Sequence, residues 1–202
     1  MRAERVRIVA LGDSTTAGTP GFLSPLEAPP SGRGDVTSQY AWWLMQARPA
    51  WEVLNRGVNG ERSDEIGARF ARDVLGASPR IVVIVAGVND IYQGRPAAHV
   101  IDRLRTMYED AAAARIRVVA GSILPFNAAT PDQNLRMREV NDWIESEAAR
   151  DARVSFADTR RAVGLTENPE MLRSSPDELH PSPDGYRRMA EALLPAIERA
   201  LQ

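Results

Sequence analysis

Short apolar runs rich in β-branched residues alternate along the chain with longer segments of helical periodicity. The runs predict five strands, at residues 6–12, 51–55, 80–87, 116–124 and 153–158. Between them, apolar residues three or four positions apart predict helices over 39–47, 63–75, 96–114, 132–150 and 183–201. This alternation predicts an α/β fold, a flavodoxin-like three-layer αβα sandwich with about five parallel strands and helices on both faces. We expect one domain spanning residues 1–202.

The segment 19–38 interrupts the alternation. It carries four prolines and three glycines between the first predicted strand and the first predicted helix. Loops of this length inside a compact domain are usually lids or binding loops, or else mobile insertions. We expect this segment to face a substrate, with a mobile insertion as the alternative.

Composition narrows the range of partners. Hydrophobic residues make up 44% of the chain and charged residues 26%, close to the averages of soluble globular proteins. A formal net charge of −2 gives no reason to expect nucleic acid as a partner. The sequence has no run of about 18 apolar residues, so we expect no membrane span. The N-terminal apolar stretch is too short for the core of a signal peptide, so we expect a cytoplasmic protein; secretion after removal of a leader is the alternative.

Two residue types are missing from the sequence. It has no cysteine, which excludes thiol nucleophiles, disulfides and thiolate metal sites. All 25 basic residues are arginine, which excludes Schiff-base chemistry, a Ser-Lys dyad and a Walker-type phosphate loop. With only two histidines, a multi-histidine metal centre is not expected. We therefore predict a site without metal or cofactor.

Polar, glycine-rich sequences follow three of the predicted strands. They are Gly-Asp-Ser at 12–14, Asn-Arg-Gly-Val-Asn-Gly at 55–60 and Gly-Val-Asn-Asp at 87–90. Ligands of open parallel sheets bind at the carboxyl ends of the strands, although each sequence alone could be a turn or a helix cap. Near the C-terminus, His180 follows Asp177 by three residues in Asp-Glu-Leu-His-Pro-Ser-Pro-Asp-Gly-Tyr. Residues 182 and 183, Ser-Pro, are suited to cap and begin the last helix.

The ordered set GDS, G, GxND and DxxH resembles the SGNH hydrolases, also called GDSL-type esterases and lipases. The resemblance covers nearly the whole chain, and the four name-giving residues fall on Ser14, Gly57, Asn89 and His180. The first motif lacks the leucine of GDSL, which removes no catalytic group. The block around Gly57 is the shortest of the four and the weakest match.

The chemistry of a serine hydrolase assigns a role to each of these residues. A serine hydroxyl needs a neighbouring base, so Ser14 is the expected nucleophile and His180 its general base. Asp177 is the expected carboxylate that orients the imidazole. The resemblance further implies an oxyanion hole made of the Ser14 and Gly57 backbone N–H groups and the Asn89 side-chain amide. Two acidic residues beside these positions, Asp13 and Asp90, are expected to support the loops.

Two other residues could take the places of His180 and Asp177. His99 competes for the base, but it lies in a segment of good helical periodicity and is expected to be structural or on the surface. Asp158 competes with Asp177, although Asp177 has the three-residue spacing found in the family.

The resemblance implies a small ester as the substrate, and we expect esters of short carboxylic acids. A carbohydrate acetylesterase, a thioesterase and a lysophospholipase are the alternatives within the family. A non-enzymatic module that binds phosphate is less expected, because the sequence has neither a GxGxxG motif nor a Walker lysine. Whether the protein forms a homo-oligomer stays open.

Overall fold

A computed structural model describes residues 5–202 of the chain. The strands are β1 (Val6–Gly12), β2 (Phe22–Leu23), β3 (Arg33–Gly34), β4 (Trp51–Gly57), β5 (Ile81–Val85), β6 (Arg117–Gly121) and β7 (Val154–Ala157). The helices are α1 (Ser14–Ala17), α2 (Tyr40–Ala47), α3 (Ser63–Ala68), α4 (Phe70–Asp73), α5 (Val88–Tyr92), α6 (Ala97–Ala113), α7 (Pro131–Arg150), α8 (Thr159–Val163) and α9 (Pro183–Ala200). Short 3-10 turns cover Val36–Ser38 and Leu75–Ala77.

Five strands form one parallel sheet in the order β4-β1-β5-β6-β7. Counted among themselves, these strands have the order 2-1-3-4-5, which is that of flavodoxin-like folds. The prediction of a parallel five-stranded α/β fold is therefore confirmed. The two remaining strands, β2 and β3, pair antiparallel in a small hairpin within the segment 19–38.

Helices cover both faces of the sheet. Successive side chains of a strand point to opposite faces, so each strand contributes to a core on either side. On one face, Val9 and Leu11 of β1 pack with α3, α4, α6 and α7. On the other, Ile8 and Ala10 pack with α2 and α9. The predicted three-layer sandwich is thus observed. Within residues 5–202, no helix combines the length and the apolar character that a membrane crossing requires.

The helix predicted over 63–75 is two short helices, α3 and α4, separated at Arg69. The Arg69 guanidinium is buried and donates to the backbone carbonyls of Gly12 and Arg56, each at 2.8 Å. It also pairs with Asp73 at 2.8 Å and with Glu61 at 2.6 Å. This side chain therefore joins the carboxyl ends of β1 and β4, a role that helical periodicity does not reveal.

After β1 the chain crosses one face of the sheet to β4, and after β5 it crosses the other face to β6. The strand order therefore reverses between β1 and β5. Such a switch point leaves a crevice outside the carboxyl ends of the two strands. Ser14 follows β1 and Asn89 follows β5, so both residues lie at this crevice.

Candidate active site

Ser14 is the first residue of α1 and follows a tight turn at the end of β1. A side chain at Gly12 would clash, because its Cβ would lie 2.2 Å from the Val85 carbonyl oxygen. Asp13 caps the helix, accepting the Thr15 N–H at 2.9 Å. The Ser14 residue is 6% exposed, and its own N–H has no acceptor among residues 5–202. The turn thus presents both a hydroxyl and a free backbone donor at the crevice.

His180 connects Ser14 to Asp177. Its Nε2 lies 2.8 Å from the Ser14 Oγ, and its Nδ1 lies 2.7 Å from the Asp177 Oδ2. Because a carboxylate faces Nδ1, we assign the ring proton to that nitrogen, which leaves Nε2 to accept from the serine hydroxyl. The structure therefore brings together the three residues that the resemblance implies as a triad.

The loop that carries His180 is held by its own acid and by the following helix. Asp177 Oδ1 accepts the backbone N–H groups of His180 at 2.8 Å and Leu179 at 3.1 Å. Burial alone would raise the pKa of the Asp177 carboxyl, but these bonds and the one to the ring hold it below its usual range. Ser182 caps α9 by accepting the Gly185 N–H at 3.3 Å, and Pro183 is the first helical residue, as predicted.

Asn89 and Asp90 lie in the first turn of α5, shortly after the end of β5. One amide hydrogen of Asn89 is donated to the Glu61 carbonyl at 2.9 Å, and the other stays available because an amide nitrogen carries two. Asp90 is buried and accepts both the N–H and the hydroxyl of Ser63 at 2.8 Å. Burial raises the pKa of Asp90, and the two bonds from Ser63 partly oppose that rise. Asp90 thereby ties α5 to the first residue of α3.

Gly57 departs from its predicted role. Its N–H donates to the Asn55 Oδ1 at 3.0 Å, so this donor is already engaged. A Cβ at Gly57 would lie 2.0 Å from the Ala17 nitrogen, which shows that the glycine is needed for close packing of β4 against α1. The expected oxyanion donor at Gly57 is therefore corrected to a packing position, since a buried and bonded N–H cannot turn to a substrate.

Gly60, three residues later, has the properties that Gly57 lacks. It adopts φ +76°, a left-handed conformation that favours glycine, and its N–H has no acceptor among the described residues. The next residue, Glu61, has its carbonyl held by Asn89, so Gly60 lies beside that amide. The sequence signal is the second glycine of Gly-Val-Asn-Gly, which follows the strand end instead of closing it.

Asp13 is a buried acid directly beside Ser14. It is 1% exposed, and its Oδ2 has no partner among residues 5–202. Burial raises its pKa to about 7, although hydrogen bonds from Thr15 and the charge of Arg69 act in the opposite direction. Its neighbour in space, Asp90, adds to the rise. Asp13 therefore holds the start of α1 through its bond from Thr15, and its burial carries an electrostatic cost.

Neither alternative residue lies in the triad. His99 Nε2 is 3.7 Å from the Asp90 Oδ1. Asp158 caps α8 by accepting the Arg161 N–H at 3.0 Å. One group could offer ligands to a cation, because atoms of Asp64, Asp90 and His99 all lie within 4.8 Å of one another. Its two acids are already engaged, Asp64 with Arg62 and Asp90 with Ser63.

The segment 19–38 is bonded to both sides of the site. Ser24 is fully buried and donates to the Gly57 carbonyl at 2.6 Å. Glu27 Oε1 accepts the Asn59 N–H at 2.9 Å. On the other side, Tyr186 of α9 donates to the Thr19 carbonyl at 2.6 Å. The segment thus joins the loop after β4 to the helix that follows His180, and its contact with substrate stays a prediction.

The chain is similar to known proteins in both sequence and fold. Residues 10–188 match the GDSL-like Lipase/Acylhydrolase family. An acetylxylan esterase from Geobacillus stearothermophilus is 28% identical over 160 residues, which are 72% of this chain and 71% of that protein. A structure assigned to the G-D-S-L lipolytic family, from Desulfitobacterium hafniense DCB-2, is 25% identical with a TM-score of 0.77, covering 95% of this chain and 99% of that one. A GDSL-like lipase from Bacteroides thetaiotaomicron VPI-5482 is 25% identical with a TM-score of 0.76, covering 96% and 89%.

Proposed function

Because the chain belongs to the GDSL-like lipase/acylhydrolase family, we propose that it is a serine esterase that hydrolyses esters of short carboxylic acids. The observation that carries the proposal is the position of His180, 2.8 Å from the Ser14 hydroxyl and 2.7 Å from the Asp177 carboxylate. A nucleophile, a base and an orienting acid in hydrogen-bonded sequence form the constellation required for acyl transfer.

Acylation of the enzyme is the first half of the reaction. Ser14 Oγ attacks the ester carbonyl carbon while His180 Nε2 takes the hydroxyl proton, so a tetrahedral oxyanion and an imidazolium form together. The carboxylate of Asp177, which stays ionised, stabilises that imidazolium through Nδ1. When the ester C–O bond breaks, His180 returns the proton to the departing alkoxide. The products are a free alcohol and an acyl-Ser14 ester.

Deacylation repeats these steps with water. His180 Nε2 takes a proton from the water molecule as its oxygen attacks the acyl carbon. The second tetrahedral intermediate collapses, the bond to Ser14 Oγ breaks, and His180 returns the proton to the serine. The carboxylic acid is released and the enzyme regains its starting state.

The oxyanion needs donors in both halves of the reaction. We assign three: the free N–H of Ser14, the second amide hydrogen of Asn89, and the N–H of Gly60 in place of Gly57. The assignment of Gly60 is supported by its unpaired N–H and by the bond from Asn89 to the adjacent Glu61 carbonyl. Donors fixed by surrounding hydrogen bonds need no reorganisation as negative charge develops.

A second candidate is the removal of acetyl groups from a carbohydrate. It is favoured by one observation, the 28% identity to an acetylxylan esterase. The chemistry at Ser14 would be the same, because an acetylated sugar is also an ester of a short acid. The two candidates differ in the alcohol that leaves.

Turnover of a panel of esters tests both candidates. We expect hydrolysis of p-nitrophenyl acetate and butyrate, with kcat/KM falling toward palmitate. Acetylated xylo-oligosaccharides, with acetate release as the readout, decide whether the natural alcohol is a sugar. Faster hydrolysis of long chains would favour a lipase, and faster cleavage of acyl thioesters would favour a thioesterase. Failure of every acyl substrate would contradict the proposal.

A further inference from the structure

A cavity of about 610 Å³ lies at the far edge of the sheet, between α7, β7 and α8. Three buried residues form its floor, Ser122, Asn141 and Arg160, while Phe156 and Leu165 contribute apolar walls. Strand β7 is three positions from β1 in the sheet. At about 4.8 Å per strand, the cavity is separated from the Ser14 crevice by about 14 Å. It is therefore a separate site.

Arg160 is a buried cation on this floor. It is 8% exposed, and its guanidinium donates to two neutral acceptors, Asn134 Oδ1 at 3.2 Å and Met137 Sδ at 3.8 Å. It forms no ion pair with any carboxylate of residues 5–202, so several of its five donors are left over. A buried charge without a counter-ion is unfavourable. Consistent with this, burial lowers the pKa of Arg160 to about 10; the nearby charge of Arg138 adds to the effect, and the charge of Asp158 on the rim partly opposes it.

The rim of the cavity limits the charge of an occupant. Asp142, Glu145, Asp158 and Arg161 are exposed there, and the charge of Arg138 is already paired with Glu170. The rim carboxylates outnumber the one rim arginine that is left and disfavour a dianion, while the single buried guanidinium matches one negative charge. The fork of an arginine suits the two oxygens of a carboxylate. Polar side chains around the rim suit a ligand whose remaining atoms form hydrogen bonds.

We propose that this cavity binds the carboxylate group of a small polar ligand, with Arg160 as its charge partner. The carboxylate could belong to a simple organic acid or to an acidic sugar, and the recognition chemistry is the same for both. The proposal stands on the cavity and its buried cation, and it does not depend on the function of Ser14.

Titration calorimetry and thermal denaturation with defined probes test the proposal. Glucuronate, acetate, glucose and inorganic phosphate are added separately at constant ionic strength. We expect glucuronate or acetate to bind and to raise the Tm, with the stronger of the two identifying the source of the carboxylate. Glucose, which has no charge, should leave the Tm unchanged, and phosphate should bind more weakly than either acid.

The Arg160→Met variant separates a ligand site from a structural arginine. We expect it to lose the carboxylate-induced shift while its own Tm equals or exceeds that of the native protein, because an unpaired buried charge has been removed. Arg160→Lys keeps the charge and serves if the methionine variant does not fold; its affinity should fall at least tenfold. The matched control is Ser14→Ala, which should bind as the native protein does.

Three results would overturn the proposal. The first is the absence of any carboxylate binding to the native protein at millimolar concentrations. The second is binding that persists unchanged in Arg160→Met or Arg160→Lys. The third is equal binding of glucose, or tighter binding of phosphate than of both acids, because either shows that a carboxylate is not what the cavity recognises.

Discussion

His180 Nε2 lies 2.8 Å from Ser14 Oγ although 166 positions separate the two residues in the chain. Ser14 is held by the turn after β1 and His180 by the loop that ends at the cap of α9. The contact therefore depends on the packing of α9 against the sheet, where Met189 and Leu193 are fully buried. The hydrophobic core thereby fixes the distance between the proposed nucleophile and its proposed base.

This contact predicts which histidine supports activity. We expect Ser14→Ala and His180→Ala each to lower kcat by at least about 10³-fold on p-nitrophenyl acetate, as for other serine triads. His99→Ala should keep most of the activity, since His99 lies beside Asp90 and outside the triad. Circular dichroism of each variant checks that the fold is intact. Full activity of the Ser14 variant would reject the triad.

A second prediction concerns the acid that orients the base. Asp177→Asn should lower kcat by about 10²–10⁴-fold, because an amide can donate to Nδ1 and favour the wrong imidazole tautomer. Asp158→Asn should change kcat by less than about twofold, since Asp158 caps α8 and does not contact His180. Steady-state kinetics of both variants decides whether Asp177 or Asp158 orients the base. The opposite ranking would move the orienting acid to Asp158.

The third prediction tests the amide donor. Removing one oxyanion-hole donor typically lowers kcat by about 10²–10³-fold with little change in KM, and we expect this of Asn89→Ala. The variant also loses the bond to the Glu61 carbonyl, so its circular dichroism spectrum and Tm are compared with those of the native protein to check that the fold is intact. A rise in KM with kcat unchanged would place Asn89 in substrate binding instead of transition-state stabilisation.

Much of this fold could be predicted because apolar periodicity reports burial directly. Strand β5 is buried at every position, which is why its continuous apolar run indicates a central strand. Three helices of four or five residues, α1, α5 and α8, were not predicted, since a segment of that length has no measurable period. The break at Arg69 was also missed, because it depends on carbonyls at two strand ends distant in sequence.

The candidate site was predictable in its side chains and less so in its backbone. The side chains of Ser14, Asp177 and His180 have chemistry that can be recognised in the sequence, and the structure makes them neighbours. Backbone N–H groups are the same in almost every residue, so the sequence does not show which of them are free. Only the conformation distinguishes the engaged N–H of Gly57 from the free N–H of Gly60.

Asp13 predicts a pH-dependent stability. Its pKa is about 7 in the folded protein and about 3.9 when unfolded, so the folded state holds a proton that the unfolded state has lost between these values. Rising pH therefore weakens folding from about pH 4 to pH 7. Asp13→Asn keeps the acceptor for Thr15 and removes the titrating group. The unfolding free energy of the variant minus that of the native protein should be about 1–3 kcal/mol larger at pH 8 than at pH 5. Urea denaturation at both pH values measures it, with the exposed Asp110→Asn as control.

Glu27 links the segment 19–38 to the proposed oxyanion donor. Its two carboxylate oxygens accept different backbone donors, the N–H of Asn59 at 2.9 Å and the N–H of Ser24 at 3.2 Å. Asn59 directly precedes Gly60, and its side chain is hydrogen-bonded to Thr19. Because both its backbone and its side chain are held, Asn59 fixes the direction of the next N–H, that of Gly60, which is the proposed oxyanion donor.

Glu27→Ala should therefore lower kcat by about 3–10-fold with KM changed less than twofold, because only the aim of a transition-state donor is lost. Glu27→Gln keeps one acceptor oxygen and should recover part of that loss. The exposed Glu109→Ala should match the native protein in both constants. Equal losses in the alanine and glutamine variants, or a fall in Tm without a fall in kcat, would mean that Glu27 only stabilises the segment. A selective loss of kcat, partly restored by glutamine, would show that the long proline-rich segment acts in catalysis by holding Gly60.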